Sequence, residues 1–213
     1  MDKIYNLGIV GYGSMAEAHE KQLSCGNVRV KICGVFDISE NRRNLAEQRG
    51  HKVYSSLEAL LSDESIDIVL VSTTNETHKD IAVKALKANK HVLVEKPATI
   101  TASEMKQIIK ASKKANKVFT IDQNRRMNRD FISMVRNIEK GTIGDVYVIE
   151  SRVEGSRGMP EGWRCDKNKG GGIMLDWGVH LIDQMLGIID DKTEHTEILS
   201  FCYRKCSEVY IIF

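Results

Sequence analysis

Two short segments of this 213-residue chain carry side chains suited to proton transfer. One is Glu95-Lys96-Pro97, an acid and an amine held just before a proline. The other runs from the glycines 170–172 through Asp176 to His180. On a helix, Asp176 and His180 are i, i+4 neighbours, and Asp183 continues the same face. An imidazole between carboxylates is an oriented general acid/base. The three glycines ahead of it allow backbone to approach a ligand closely. Either segment alone is also an ordinary surface feature, a strand end or an ion pair on an amphipathic helix. Their position in the fold must decide.

A third segment suits phosphate binding. Gly11-Tyr12-Gly13-Ser14-Met15-Ala16 follows an apolar run and opens a helical one. In such a turn Gly11 permits the tight bend, Gly13 lets backbone approach a pyrophosphate, and Ala16 keeps the helix close to the sheet. The helix N-terminus, including Ser14 and Met15, then offers free N–H groups and partial positive charge. Asp37 follows Gly11 by 26 residues and ends the next apolar run. A carboxylate there accepts from both ribose hydroxyls and repels a 2′-phosphate, which favours NAD. Arg42 and Arg43 keep NADP open as the less favoured cofactor. A flavodoxin-like fold with an empty glycine turn is the bland alternative.

These residues need a scaffold, and the first half of the chain supplies one. Strand patterns fall at Ile4–Val10, Val28–Phe36, Ile66–Val71, His91–Val94 and Val118–Ile121. Helical patterns lie between them, at Ser14–Leu23, from Ser39 to Arg49, at Leu57–Leu61 behind a Ser55/Glu58 capping box, at Thr77–Ala88, and from a Thr101/Glu104 capping box to about Asn116. This alternation predicts βαβ units and a doubly wound parallel sheet, with six strands expected in a complete domain. Residues 1–123 therefore read as a Rossmann domain and 124–213 as a second, α+β domain. In the latter we expect a helix at Arg129–Lys140, a turn at Gly141–Gly144, a strand at Val146–Glu154, a loop over Gly155–Gly172, a helix from Ile173 to Leu186, and a weak strand at Val209–Phe213 without an evident partner.

Bulk properties are those of a globular protein, 42% apolar and 28% charged. A net charge of +2 with scattered Lys and Arg argues against nucleic acid as a partner. No apolar run approaches the roughly 20 residues that cross a bilayer, and no signal peptide is evident. The five cysteines are odd in number and irregularly spaced, Cys202 and Cys206 lack companion ligands, and no metal is expected. A cytoplasmic location is the expectation.

Taken in order, the motifs resemble the Gfo/Idh/MocA oxidoreductases, relatives of glucose–fructose oxidoreductase and inositol dehydrogenase. The resemblance rests on the glycine turn, Ser72-Thr73-Thr74-Asn75-Glu76-Thr77-His78, Glu95-Lys96-Pro97, Asn124-Arg125-Arg126, Gly141-Thr142-Ile143-Gly144, Trp163-Arg164 and the Asp176/His180 segment. Thr74 departs from the family's usual proline. The resemblance implies NAD(P)-dependent oxidation of a secondary carbinol on a small sugar or cyclitol, with Lys96, Asp176 and His180 catalytic. It implies cofactor contacts by Thr73, Thr74, Asn75, His78, Glu95 and Lys96, and substrate contacts by Arg126, Trp163 and Arg164. A dinucleotide-binding remnant without turnover, or an NAD-assisted glycoside-cleaving or isomerising relative, would carry the same motifs. The family's second domain is a large open sheet that also serves homo-oligomer contacts. Here only Val146–Glu154 fits that sheet and the likeness is expected to stop at Leu186, so the second domain reads as incomplete and the usual interface as mostly missing.

Overall fold

The computed structural model describes residues 3–26, 28–153, 162–189, 199–203 and 208–212. The chain divides into two compact units, Met1–Asp122 and Gln123–Phe213. Among the described residues no helix is long and apolar enough to cross a membrane.

The first unit is a parallel sheet with helices between its strands. Its strands are β1 (Tyr5–Val10), β2 (Val30–Phe36), β3 (Ile68–Val71), β4 (His91–Glu95) and β5 (Phe119–Asp122). Its helices are α1 (Ser14–Cys25), α2 (Glu40–Gln48), α3 (Leu57–Ser62), α4 (Asn75–Lys87) and α5 (Ala102–Ala115). The sheet order is β2-β1-β3-β4-β5, all parallel. Continuous apolar runs such as Ile9-Val10 and Val69-Leu70-Val71 are buried because helices cover both faces.

Five strands form where six were expected. The sixth position, beside β2, is taken by residues 52–54, which make only a single parallel bridge, Val35 to Val53. It is held by Val35 N–H donating to Lys52 O (2.8 Å) and Tyr54 N–H donating to Val35 O (2.9 Å). Tyr54 packs against Gly34, where a Cβ would come within 2.3 Å of the ring. With this segment counted, the order is that of a doubly wound dinucleotide-binding sheet, not of the flavodoxin-like alternative.

Register fixes where the functional residues lie. Val10 pairs with both Phe36 and Val71, Val71 with Val94, and Val94 with Ile121. The residues next in sequence, Gly11, Asp37, Ser72, Glu95 and Asp122, therefore line the carboxyl edge of the sheet. The order turns back at β1 and β3, so the switch point lies between the Gly11 and Ser72 turns.

Helix starts show the local chemistry. Thr101 Oγ1 accepts from Glu104 N–H while Glu104 accepts from Thr101 N–H, the expected capping box. At α3 the cap is Ser56, not Ser55, and its Oγ accepts from Ala59 N–H. Glu58 is thereby displaced from the box and pairs with Lys84 instead.

The second unit holds α6 (Arg129–Glu139), β6 (Glu150–Val153), α7 (Val179–Leu186), β7 (Leu199–Tyr203) and β8 (Glu208–Ile212). The β6 strand is shorter than expected, since residues 146–149 stay outside the ladder and Glu154 lies outside the described residues. The terminal run does find partners, because β8 pairs antiparallel with both β6 and β7. Part of the expected loop 155–172 falls outside the described residues, and the rest contains two 3-10 turns, Trp163–Cys165 and Lys167–Lys169. Cys206 also lies outside them. The expected helix from Ile173 begins as a wide π turn over Met174–Gly178 before becoming α7.

Candidate active site

The glycine turn has the features of a phosphate seat. Gly11 adopts φ 89°, and a Cβ there would lie 2.7 Å from Ser72 O, so only glycine fits. Ser72 Oγ donates to Gly11 O (2.6 Å) and ties the two turns of the switch point together. Gly13 caps α1 without any side-chain hydrogen bond, and its own Cβ position meets nothing within 4 Å. Backbone N–H groups at Ser14, Met15 and Ala16 begin a helix that no side chain caps, which leaves donors for an anion. Ala16 is fully buried against Leu7, Ile9 and Val35, where a larger side chain would lift the helix off the sheet.

Asp37 is fixed by two backbone donors, Tyr12 N–H to Oδ2 and Ser39 N–H to Oδ1, both at 2.7 Å. Each oxygen retains a lone pair for a ribose hydroxyl. The nearby arginines are committed elsewhere. Arg43 donates to Asp37 O (2.8 Å) and Ile38 O (3.0 Å), and Arg42 pairs with Glu17 (3.0 Å). The uncapped helix, open Gly13 and braced Asp37 together fit a nicotinamide dinucleotide.

The turns after β3 and β4 form the rest of this edge. Thr77 Oγ1 donates to Thr74 O (2.8 Å), so the 2.7 Å contact between Thr73 and Thr77 is a hydrogen bond from Thr73 Oγ1. Thr74 Oγ1 donates to Glu76 (2.8 Å), and Asn75 is buried in the first turn of α4. His78 differs from the sequence expectation of a cofactor contact. It is 0% exposed, with Nδ1 at 2.9 Å from Pro97 O and Nε2 at 3.1 Å from Thr73 O, so its ring lies between the two turns, and in its neutral form donates to one of these oxygens. Burial pushes its pKa down. Glu95 is likewise buried, its Oε1 2.7 Å from His19 Nε2 and its Oε2 accepting from Lys96 N–H at 3.3 Å. Lys96, half-buried, follows at the strand end.

In the second unit the glycine run serves the protein's own backbone. A Cβ on Gly171 would lie 2.4 Å from Arg164 O, and Gly172 N–H donates to that oxygen (2.8 Å). At Gly171 the close approach read as room for a ligand is taken by the Trp163–Asp166 turn, whereas the Cβ position of Gly172 meets nothing within 4 Å. Arg164 stacks on Trp163 (4.6 Å to the ring centroid) and its Nε lies 3.5 Å from Asp176 Oδ2. His180 is buried, edge-on to Trp177. Asp183 does not simply flank it. Its carboxylate takes both Nε (2.7 Å) and Nη2 (2.5 Å) of Arg126, which ties the turn at 124–127 to α7 and raises the Arg126 pKa. Arg126 is thus engaged within its own unit.

Sequence reading missed His19 and Asp122. Asp122 was available in principle, as the register partner of Glu95 at the end of β5. His19 carried only the signal of a histidine on the helix that the glycine turn opens.

A family model described as "Oxidoreductase family, NAD-binding Rossmann fold" matches residues 5–123, and one described as "GFO/IDH/MocA C-terminal domain" matches 131–204. The chain belongs to the Gfo/Idh/MocA oxidoreductase family. The second match runs past Leu186, where the likeness was expected to end; short antiparallel strands such as β7 carry little sequence signal of their own. An uncharacterized oxidoreductase of Schizosaccharomyces pombe is 40% identical over 136 residues, covering 63% of this chain and 37% of the relative. Myo-inositol 2-dehydrogenase of Thermotoga maritima is 28% identical over 190 residues, covering 88% and 56%. The crystal structure of an NAD-binding protein from Listeria innocua matches with a TM-score of 0.85 and 43% identity, covering 93% of this Gfo/Idh/MocA chain and 57% of the other. The chain spans about half the length of the relatives it matches, or less.

Proposed function

We propose that this chain binds NAD on its first unit and takes part in the reversible oxidation of a secondary carbinol on a sugar or cyclitol. The observation that carries the reading is the row of strand ends, which sets Gly11, Asp37, Ser72 and Glu95-Lys96 along one sheet edge. NAD is favoured over NADP by the Asp37 carboxylate, with Arg42 and Arg43 both paired elsewhere. The substrate class rests on the myo-inositol 2-dehydrogenase relative.

The glycine turn and the N–H groups of Ser14, Met15 and Ala16 hold the pyrophosphate, Asp37 the adenosine ribose, and Thr73, Thr74 and Asn75 the flank of the seat. When bound, NAD supplies the two-electron acceptor for the carbinol carbon. His180 or Lys96 takes the hydroxyl proton as the C–H electron pair departs and the C=O bond forms. A protonated Lys96 stabilises charge developing on that oxygen, and Asp176 orients substrate and base. Trp163 and Arg164 contribute to the sugar pocket. Free thiols at Cys25, Cys33 and Cys165 suit a reducing, cytoplasmic setting.

Calorimetric titration with NADH tests binding, and a panel of inositols and sugars with NAD, followed by nicotinamide absorbance, tests turnover. Binding with no absorbance change on any substrate leaves a dinucleotide-binding protein and refutes the dehydrogenase reading. No binding refutes both.

A further inference from the structure

We infer that His19 is a positioning residue for Lys96, acting through Glu95 with Asp122 beside it. The inference rests on the reading of Lys96 as catalytic.

Glu95 is 4% exposed at the end of β4, and a carboxylate buried there without a partner would be strongly unfavourable. Its partner is His19, whose Nε2 lies 2.7 Å from Oε1. A carboxylate only accepts, so Nε2 donates. Asp122 Oδ2 stands 3.4 Å from the same nitrogen and adds attraction for the imidazolium. Burial opposes the charged ring, yet the Glu95 hydrogen bond outweighs it and raises the His19 pKa. The other Glu95 oxygen accepts from Lys96 N–H, so the clamp reaches the backbone of the lysine itself. On the far side, Pro97 O packs against buried His78, 2.9 Å from its Nδ1. Lys96 thus sits between two anchored residues.

His19 also belongs to α1, the helix that opens at Gly13. One rigid helix therefore presents the pyrophosphate seat at its first turn and, one to two turns on, fixes the strand end that carries Lys96. This references cofactor and amine to a single element, the kind of preorganisation on which reacting geometry depends. His19, Glu95 and Asp122 have the side-chain types of a metal site. The 2.7 Å contact is nevertheless a hydrogen bond, since ligand atoms around a cation at about 2.1 Å stand roughly 3 Å or more apart.

The test compares the full chain with His19→Ala and His19→Gln, the latter offering a neutral amide N–H at about the reach of Nε2. In His19→Ala, amide exchange in the peptide spanning 93–99 should speed by about tenfold while β1 and β3 stay at wild-type rates. The NADH dissociation constant should stay within about threefold, and kcat with NAD and myo-inositol should fall by about 10- to 100-fold with KM little changed. His19→Gln should recover most of both losses. Unchanged exchange and kcat in His19→Ala, a fall in NADH affinity that accounts for the fall in kcat, or failure of glutamine to rescue overturns the inference. If the unsubstituted chain oxidises no polyol, the dehydrogenase reading fails separately. Local exchange and its rescue by glutamine then decide whether His19 holds the lysine turn, and unchanged exchange overturns that. Should His19→Ala fail to fold, His19→Asn, whose amide is too short to reach Glu95, takes its place.

Discussion

Replacing Asp37 with alanine removes a carboxylate that two backbone N–H groups hold at 2.7 Å each. In the NAD complex the same group would accept from both ribose hydroxyls. A hydrogen bond to a charged group contributes about 1.5–3 kcal/mol. Asp37 is only half-buried, so water competes for it, and we discount the pair to about 2–3 kcal/mol in total. At 1.4 kcal/mol per decade this is a rise of about 30- to 150-fold in the NADH dissociation constant. The substitution also removes the repulsion of a 2′-phosphate, so the preference for NADH over NADPH should shrink by at least as much. Isothermal titration with both reduced cofactors reads the two effects. Loss of the Tyr12 and Ser39 hydrogen bonds destabilises the free protein by about 1–2 kcal/mol, so titrations belong well below the melting transition. Asp37→Asn supplies the control, since its amide oxygen can still accept from one N–H and from ribose without the charge; its NADH affinity should lie between the other two. A dissociation constant for Asp37→Ala within about threefold of wild type, or tighter NADPH than NADH binding by the unsubstituted chain, would refute the ribose assignment.

Lys96→Ala should abolish polyol oxidation while leaving NADH affinity within a few-fold, and surviving turnover would remove Lys96 from the mechanism. The two glycines of the turn should separate stability from binding. Gly11→Ala, strained at φ 89° and 2.7 Å from Ser72 O, should lose about 2–4 kcal/mol in urea melts. Gly13→Ala, facing open space in extended backbone, should melt like wild type but weaken NADH by about tenfold or more as its methyl enters the phosphate seat. His19 gives a pH test with a defined sign. Its folded pKa is raised above 6.5 by Glu95, with Asp122 also facing it. The stabilisation is therefore full below about 6.5 and lost as pH rises through the folded value. Melting temperatures of wild type minus His19→Gln should fall across that window, and a difference that grows with pH contradicts the assignment.

Much of the first unit was legible because its signals are local. A glycine turn between an apolar run and an amphipathic run, an acid at the next strand end, and Glu-Lys-Pro at another all follow from backbone sterics and burial within a few residues. The capping box at Thr101 was equally local, whereas at Ser55 a one-residue ambiguity between adjacent serines went the wrong way. The sixth strand could not be resolved from pattern, because residues 52–54 touch β2 through one bridge and owe their place to Tyr54 packing on Gly34.

What the sequence by itself determined was the seat for a dinucleotide and the placing of Lys96 at a strand end, since both are written in contiguous residues. Tertiary structure decided which side chains face outward and which serve the fold. His78 turned inward between two carbonyls, Gly171 met Arg164 instead of a ligand, and Arg126 took Asp183. Strand register then brought Glu95 level with Asp122, and α1 laid His19 against both. These pairings span from 5 residues at Thr73–His78 to 103 at His19–Asp122, and no local periodicity encodes them, because they depend on how strands and helices pack and not on what either prefers alone.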